Sequence, residues 1–253
     1  MAASNRRSSP HKPQPRRAKK DTRRLSPPPL SPLFKETASR LALSDAQIEH
    51  LHTYVETLGK WQPKLNLIGP STWDDVWDRH VVDSLQCLDY LPEMTAPSGP
   101  QNADKARFES ADRFPRGAAD IGTGAGFPGI VVAIATGQPV TLIEADHRKA
   151  AFQLAVKTAT QAPIAVLSRR VEALPVQPLD LLFARAFAPL PRLLDWCAPL
   201  IDSQTQLLLH KGRSAPEEIA AAQQTHHFET ESFPSLIDSD SVILRLRNIR
   251  PAR

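Results

Sequence analysis

The chain has 253 residues, 41% of them hydrophobic, with 24 prolines, 2 cysteines and a formal net charge of +4. That length and apolar content suffice to bury a sizeable core. No apolar run reaches membrane-spanning length or forms a signal-peptide core, so a soluble, cytoplasmic protein is expected with no membrane partner. Cys87 and Cys197 fit no metal or redox spacing and His226-His227 has no companion ligands nearby. No metal site is expected.

Residues 1–35 carry ten Lys or Arg and one acid, Asp21, a charge of +9 that leaves −5 for the rest. With seven prolines between Pro10 and Pro32 and almost no large apolar side chains, residues 1–32 are predicted to be a disordered basic tail. Such an arm suits a polyanion such as nucleic acid, although a solvated extension with no partner fits the composition equally. Order is expected from about Leu33. Ser44-Asp45-Ala46-Gln47 reads as a capping box, and Ile48, Leu51, Val55 and Leu58 follow at helical spacing and close at Gly59. Trp61 to Gly69 breaks that pattern. A second helical stretch is expected from about Thr72 to Tyr90, in which Arg79 and Asp83, four apart, share a face beside His80. These form an N-terminal helical segment over 33–91, and the aperiodic residues 92–116 are expected to be a flexible insertion.

The core, expected over 117–253, begins with Asp120-Ile121-Gly122-Thr123-Gly124-Ala125-Gly126-Phe127-Pro128-Gly129 ahead of the apolar run Ile130–Ala135. This is a strand end, a glycine turn and a helix start. Glycines at 122, 124 and 126 lack the G-x-G-x-x-G spacing that seats a dinucleotide pyrophosphate, which disfavours a nicotinamide-dependent oxidoreductase. No G-K-[ST] follows for a P-loop. Pro139–Glu144 reads as a short buried strand that places Glu144 where an acid can bind ribose hydroxyls, unless it caps the helix beginning near His147. A helix over Arg148–Thr160, with Phe152, Ala155, Val156 and Ala159 on its apolar side, and a strand Ile164–Leu167 follow. Val171 and Glu172 then occupy a strand end where an adenine ring could lie. Next come a strand Leu179–Ala184 followed by Arg185, a helix through Leu193 and Trp196, a strand Leu207–Gly212, a helix around Ile219 and strands near 227–233 and 241–247. The pattern predicts an α/β architecture, a seven-stranded, mostly parallel sheet with an antiparallel edge.

The run D-x-G-x-G-x-G resembles the first motif of the class I S-adenosylmethionine (SAM) methyltransferases, which have a Rossmann-like fold. Asn66-Leu67, Arg79 to Ser84, Asp120 to Gly129, Arg170-Val171-Glu172, Arg185 to Ala188 and Lys211-Gly212 together resemble the glucose-inhibited division protein B (GidB) family of 16S ribosomal RNA guanine-N7 methyltransferases. That resemblance implies SAM as cofactor and transfer of its methyl group to guanine N7, in 16S ribosomal RNA or an assembling small subunit. It implies cofactor contacts at Gly122, Phe127, Val171, Glu172 and Arg185, to which the motif and spacing add Asp120, Gly124, Gly126 and Glu144. Asn66, Arg79, His80, Asp83, Arg170 and Lys211 match family positions around the active cleft and RNA face. A monomer is expected. A SAM-binding assembly factor without catalysis is the alternative. No general base is called for, because N7 carries a lone pair and no proton.

Overall fold

The computed structural model describes residues 24–92 and 116–252, so most of the expected tail and nearly all of the expected insertion lie outside the described residues. Seven strands form one sheet: β1 Ala118–Ile121, β2 Val140–Ile143, β3 Ile164–Leu167, β4 Leu181–Arg185, β5 Gln206–Lys211, β6 His226–Pro234 and β7 Val242–Pro251. Their order is β3-β2-β1-β4-β5-β7-β6. β1 to β5 pair in parallel, and β7 runs antiparallel to both β5 and β6, the edge the sequence predicts.

The central strands are mostly apolar and mostly buried because both faces are covered. Along β4, Leu181 and Phe183 join the cluster packed under the N-terminal helices, while Leu182 and Ala184 join the cluster on the opposite face. The first face carries α4 (Gly129–Thr136) and α5 (His147–Thr160), and the second carries α6 (Leu190–Cys197) and α7 (Ala215–Ala222). β1 leads through α4 to β2 on one side, and β3 returns to β4 on the other. The sheet therefore has a switch point between β1 and β4, and a ligand is expected beyond the carboxyl ends there.

The N-terminal layer departs from its sequence pattern in three places. First, residues 24–31, expected within the disordered tail, lie against the body. The Leu25 amide donates to Gly59 O at 3.1 Å, the Trp73 and Trp77 indoles donate to Ser26 O at 3.3 Å and Pro28 O at 2.9 Å, and Ser31 caps α1 (Pro32–Arg40) and bonds Asp78. Second, α2 spans Asp45–Leu65 behind the expected Ser44–Gln47 capping box, passing through Gly59 instead of stopping there. Gly59 is required for close approach: a Cβ would lie 2.3 Å from Leu25 O and 2.8 Å from the Trp73 ring. Pro63 has no amide hydrogen to give Gly59 O four residues back, and the Leu25 amide takes that acceptor instead. Third, the stretch expected from Thr72 is a short 3₁₀ turn at Pro70–Thr72 and then a helix of changing gauge. It is π-helical over Trp77–Val82, α-helical over Asp83–Leu85 (α3) and 3₁₀ over Gln86–Tyr90. In a π turn, four residues no longer complete a revolution. Arg79 and Asp83 still line one cleft, but the Asp83 carboxylate lies against Arg185 and His210. No helix among the described residues is long and apolar enough to cross a membrane.

Candidate active site

Beyond the carboxyl ends of β1, β2 and β4 opens a cleft of about 350 Å³, walled by Gly122, Glu144, Val171, Glu172, Phe187 and Trp196 among others. The glycine loop on its floor is tied down at most of its polar backbone groups. The Gly122 amide bonds Ile143 O at 2.8 Å, and Tyr54 Oη and Gln153 Nε2 donate to Ala125 O and Gly124 O at 2.6 and 2.9 Å. The Gly124 amide donates to Glu144 Oε2, and the Asp146 amide to Oε1, each at 2.8 Å. Each carboxylate oxygen can accept a further hydrogen bond from the cleft. Asp146, rather than Glu144, caps α5 by accepting from the Arg148 amide. Gly122 sits at φ +61, and a Cβ there would meet Phe187 Cδ2 at 2.1 Å. The Phe187 ring thus lies directly on the loop and closes one side of the cleft.

Asp120 is fully buried beneath the loop instead of facing the cleft. Its Oδ2 accepts from Thr123 Oγ1 at 2.5 Å and the Gly129 amide at 2.9 Å, while Oδ1 has no partner. Burial pushes its carboxyl up to about 7, against the lowering effect of those two hydrogen bonds. Asp120 holds the two ends of the loop together. Phe127 is also buried, its ring 5.2 Å from Tyr54 and 5.1 Å from His80.

A second cleft, of about 240 Å³, lies on the other side of Ala186, which lines both. Its walls include Arg79, Asp83, Arg185, His210, Lys211 and Asp238. Arg185, expected at the cofactor, turns instead into this cleft: Nη2 donates to Arg79 O at 2.8 Å, and Nη1 lies 3.4 Å from Asp83 Oδ2. Arg170, expected near the RNA face, lines the first cleft. Lys211 is committed to Ala188 O at 2.8 Å and Glu218 Oε2 at 2.7 Å, which fastens the segment after β4. Burial raises the Glu218 carboxyl, but hydrogen bonds from Lys211, Ser214 and the Leu190 amide outweigh it and hold it below its ordinary value.

His80 is buried behind this cleft with Nε2 2.8 Å from Thr72 Oγ1. Because the Thr72 hydroxyl donates to Gly69 O, the His80 Nε2–H is the donor to Thr72. Burial, with Arg185 and Arg79 nearby, lowers its pKa to about 3, so the ring is neutral. Burial likewise lowers His210. Asn66 lines neither cleft; it ends α2 in the left-handed conformation, at φ 48, with its amide on Gln62 O.

Tyr54, Gln153 and His210 are residues about the two clefts that motif spacing does not single out. Tyr54 and Gln153 stand on buried helix faces, where a side chain with a polar end signals a hydrogen-bond partner.

Comparison with known proteins accords with this geometry. The family model described as GidB, rRNA small subunit methyltransferase G, matches residues 47–98 and 105–243. The ribosomal RNA small subunit methyltransferase G of Rhodospirillum rubrum is 39% identical over 215 residues, 85% of this chain and 97% of that protein. Its counterpart in Rhodospirillum centenum is 38% identical over 223 residues, 87% and 94% of the two chains. The one from Paramagnetospirillum magneticum is 34% identical over 219 residues, 87% and 97%. With two thirds of the chain and more matched in each case, and a site beyond the switch point of a seven-stranded α/β sheet, this protein belongs to the GidB family of rRNA small subunit methyltransferases G.

Proposed function

We propose that this protein transfers the methyl group of SAM to N7 of a guanine in 16S ribosomal RNA, within the small ribosomal subunit or its assembling particle in the cytoplasm. The observation that carries this reading is the shared wall: two clefts of different character meet at Ala186, one suited to a nucleoside and one to a base. The first cleft's donors fit SAM. Glu144 offers free lone pairs for ribose hydroxyls, Ile143, Val171 and Trp196 offer apolar surface for a purine, and the loop's glycine spacing is not that of a pyrophosphate seat. Bound there, SAM supplies a methyl group made electrophilic by its sulfonium.

The residues of the second cleft suit a reaction that needs no base. Guanine N7 has an in-plane lone pair and no proton. As it attacks the methyl carbon, the C–S bonding pair stays on sulfur, the positive charge passes to the purine and no proton moves. Neutral His80, committed to Thr72, is not asked to accept one. The protein's contribution is alignment, for which proximity and orientation can supply up to about 7–11 kcal/mol. N7 of a paired guanine lies in the deep, narrow groove of an A-form helix, so the target base must be splayed out of a loop or junction to enter the cleft.

The test is direct. Full-length protein is incubated with methyl-labelled SAM and small-subunit particles from cells that lack it, and the RNA is digested to nucleosides. Label in 7-methylguanosine is expected; label in another nucleoside, or none, overturns the reading.

A further inference from the structure

We propose that Asp83, with Arg185 beside it, selects guanine over adenine by reading the target base's O6, N1 and N2 edge. This deepens the function proposed above and rests on it. Asp83 is 8% exposed yet lines the second cleft. It is surrounded by donors, and every one is distant: Gln86 Nε2 at 3.3 Å, Ser235 Oγ at 3.4 Å, Arg185 Nη1 at 3.4 Å and His210 Nε2 at 3.6 Å. A carboxylate with settled partners holds them at about 2.7–2.9 Å. Beside it, Arg185 Nη1 is buried with no hydrogen-bond partner, while Nη2, held on Arg79 O, fixes the guanidinium plane. Just behind the cleft wall, then, a donor with no hydrogen bond lies next to one loosely held acceptor.

That order is complementary to one purine. Guanine offers an acceptor, O6, followed by two donors, N1–H and N2–H, so O6 can take Arg185 Nη1–H while the Asp83 carboxylate accepts from N1 and N2. Adenine offers a donor, N6–H, where O6 stood and an acceptor at N1, which would set donor against donor and lone pair against carboxylate. A site built on hydrogen bonds rejects such a mismatch far more strongly than an apolar pocket can. N7 lies on the far side of O6 from N1. A guanine held on Asp83 by that edge keeps N7 free towards Ala186 and the first cleft. Once methylated, the purine carries a positive charge that makes its N1–H a stronger donor, and a carboxylate at N1 favours that charge as it develops.

The probe is a small-subunit RNA in which the methylated guanine, located by mass spectrometry, is replaced by inosine. Inosine keeps N7, O6 and N1–H and lacks only the N2 amino group. For the wild-type protein, loss of one hydrogen bond to a charged group should lower kcat/KM by about 10- to 100-fold. Asp83→Asn cannot accept from N1 and N2 together, so its guanine-to-inosine ratio should shrink towards one even though its activity is lower. Equal wild-type rates on the two RNAs overturn the proposal while leaving the methyltransferase reading intact, and so does an unchanged ratio in Asp83→Asn. The wild-type comparison needs no variant to fold. A wild-type protein that methylates neither RNA overturns the parent reading, and this one with it.

Discussion

The two clefts that meet at Ala186 draw their walls from different parts of the chain. The first cleft, proposed for the cofactor, is lined by successive strand ends: Gly122 follows β1, Glu144 follows β2, Arg169 to Glu172 follow β3, and Ala186 and Phe187 follow β4. Its glycine loop is hydrogen-bonded to Ile143, Glu144 and Gln153, while Asp120 Oδ1 and Gln153 Oε1 beneath the loop are buried without hydrogen-bond partners. The acceptor cleft is assembled from four distant places, the helical stretch at 79–83, Arg185, His210-Lys211 and the connection at 235–242. There Arg185 Nη1 and His210 Nδ1 are buried without hydrogen-bond partners. A donor site on successive strand ends beside an acceptor site that reaches to the N-terminal helices and the β6–β7 connection suits an enzyme that holds one small cofactor and receives a base delivered by a large RNA.

Substitutions should separate the two. The largest effect is expected at Gly122. In Gly122→Val, a β-branched residue at positive φ with its Cβ inside the Phe187 ring would add about 2–6 kcal/mol of steric and backbone strain. SAM binding by calorimetry should be lost, while RNA binding through the other cleft remains; SAM affinity equal to the parent's would dissociate the loop from the cofactor.

Glu144→Ala comes next. Removing a carboxylate that can bond the ribose and also anchors the Gly124 and Asp146 amides should weaken SAM by about 1.5–3 kcal/mol, with no change in RNA affinity. An unchanged dissociation constant would leave Glu144 a purely structural anchor.

Asp120→Asn sharpens the same region through pH. The folded-state pKa, about 7, lies above the ordinary 3.8, so ionised Asp120 costs stability above pH 7 and that cost is lifted as pH falls through 7 towards 3.8. The variant should therefore be more stable than the parent at pH 8, by a margin that shrinks by up to about 1.4 kcal/mol per pH unit on acidification. Parallel stability curves for the two proteins would mean that Asp120 is not raised.

Lys211→Met tests whether Lys211 is a fastener or an RNA contact. Leaving the partly buried Glu218 unpaired should cost about 1–3 kcal/mol of stability, seen as a lower Tm. Unaltered Tm with weaker RNA binding would restore the RNA role implied by resemblance.

The smallest effect on chemistry is expected from the tail. Deleting residues 1–23 removes eight Lys or Arg but spares the segment from Leu25 that is bonded to Gly59, Trp73 and Trp77. RNA affinity should fall and its salt dependence flatten by about 0.7–0.9 in log–log slope per lost phosphate contact, with SAM affinity unchanged. Equal slopes would mean that the arm makes no RNA contact.

The contrast between the clefts also explains what could be read from sequence. The succession of strands and helices along the chain, the glycine loop and the approach of Glu144 to it follow from short-range periodicity and spacing, which report on single β-α-β units. Arg185 lines the second cleft, which its position at a strand end does not reveal, and what turns it there is Arg79 O and Asp83, about 100 residues earlier. Gly59 reads as a helix stop until Leu25 is seen against it, since local propensity cannot register a distant backbone. Arg79 and Asp83 reach one cleft as their spacing suggests, but the π gauge of that stretch is not visible in the spacing. Asp120 has the charge to attract a sulfonium, but the strand end points it under the loop instead.

The central claim, that one cleft donates a methyl group to a guanine N7 held in the other, is tested most directly in cells. Small-subunit ribosomal RNA from cells with and without the intact gene is mapped by mass spectrometry of nuclease fragments. The account predicts one 7-methylguanosine that is present with the protein, absent without it, and not restored by the Gly122→Val chain. Identical methylation maps in both strains, or a difference at any atom other than guanine N7, would contradict it.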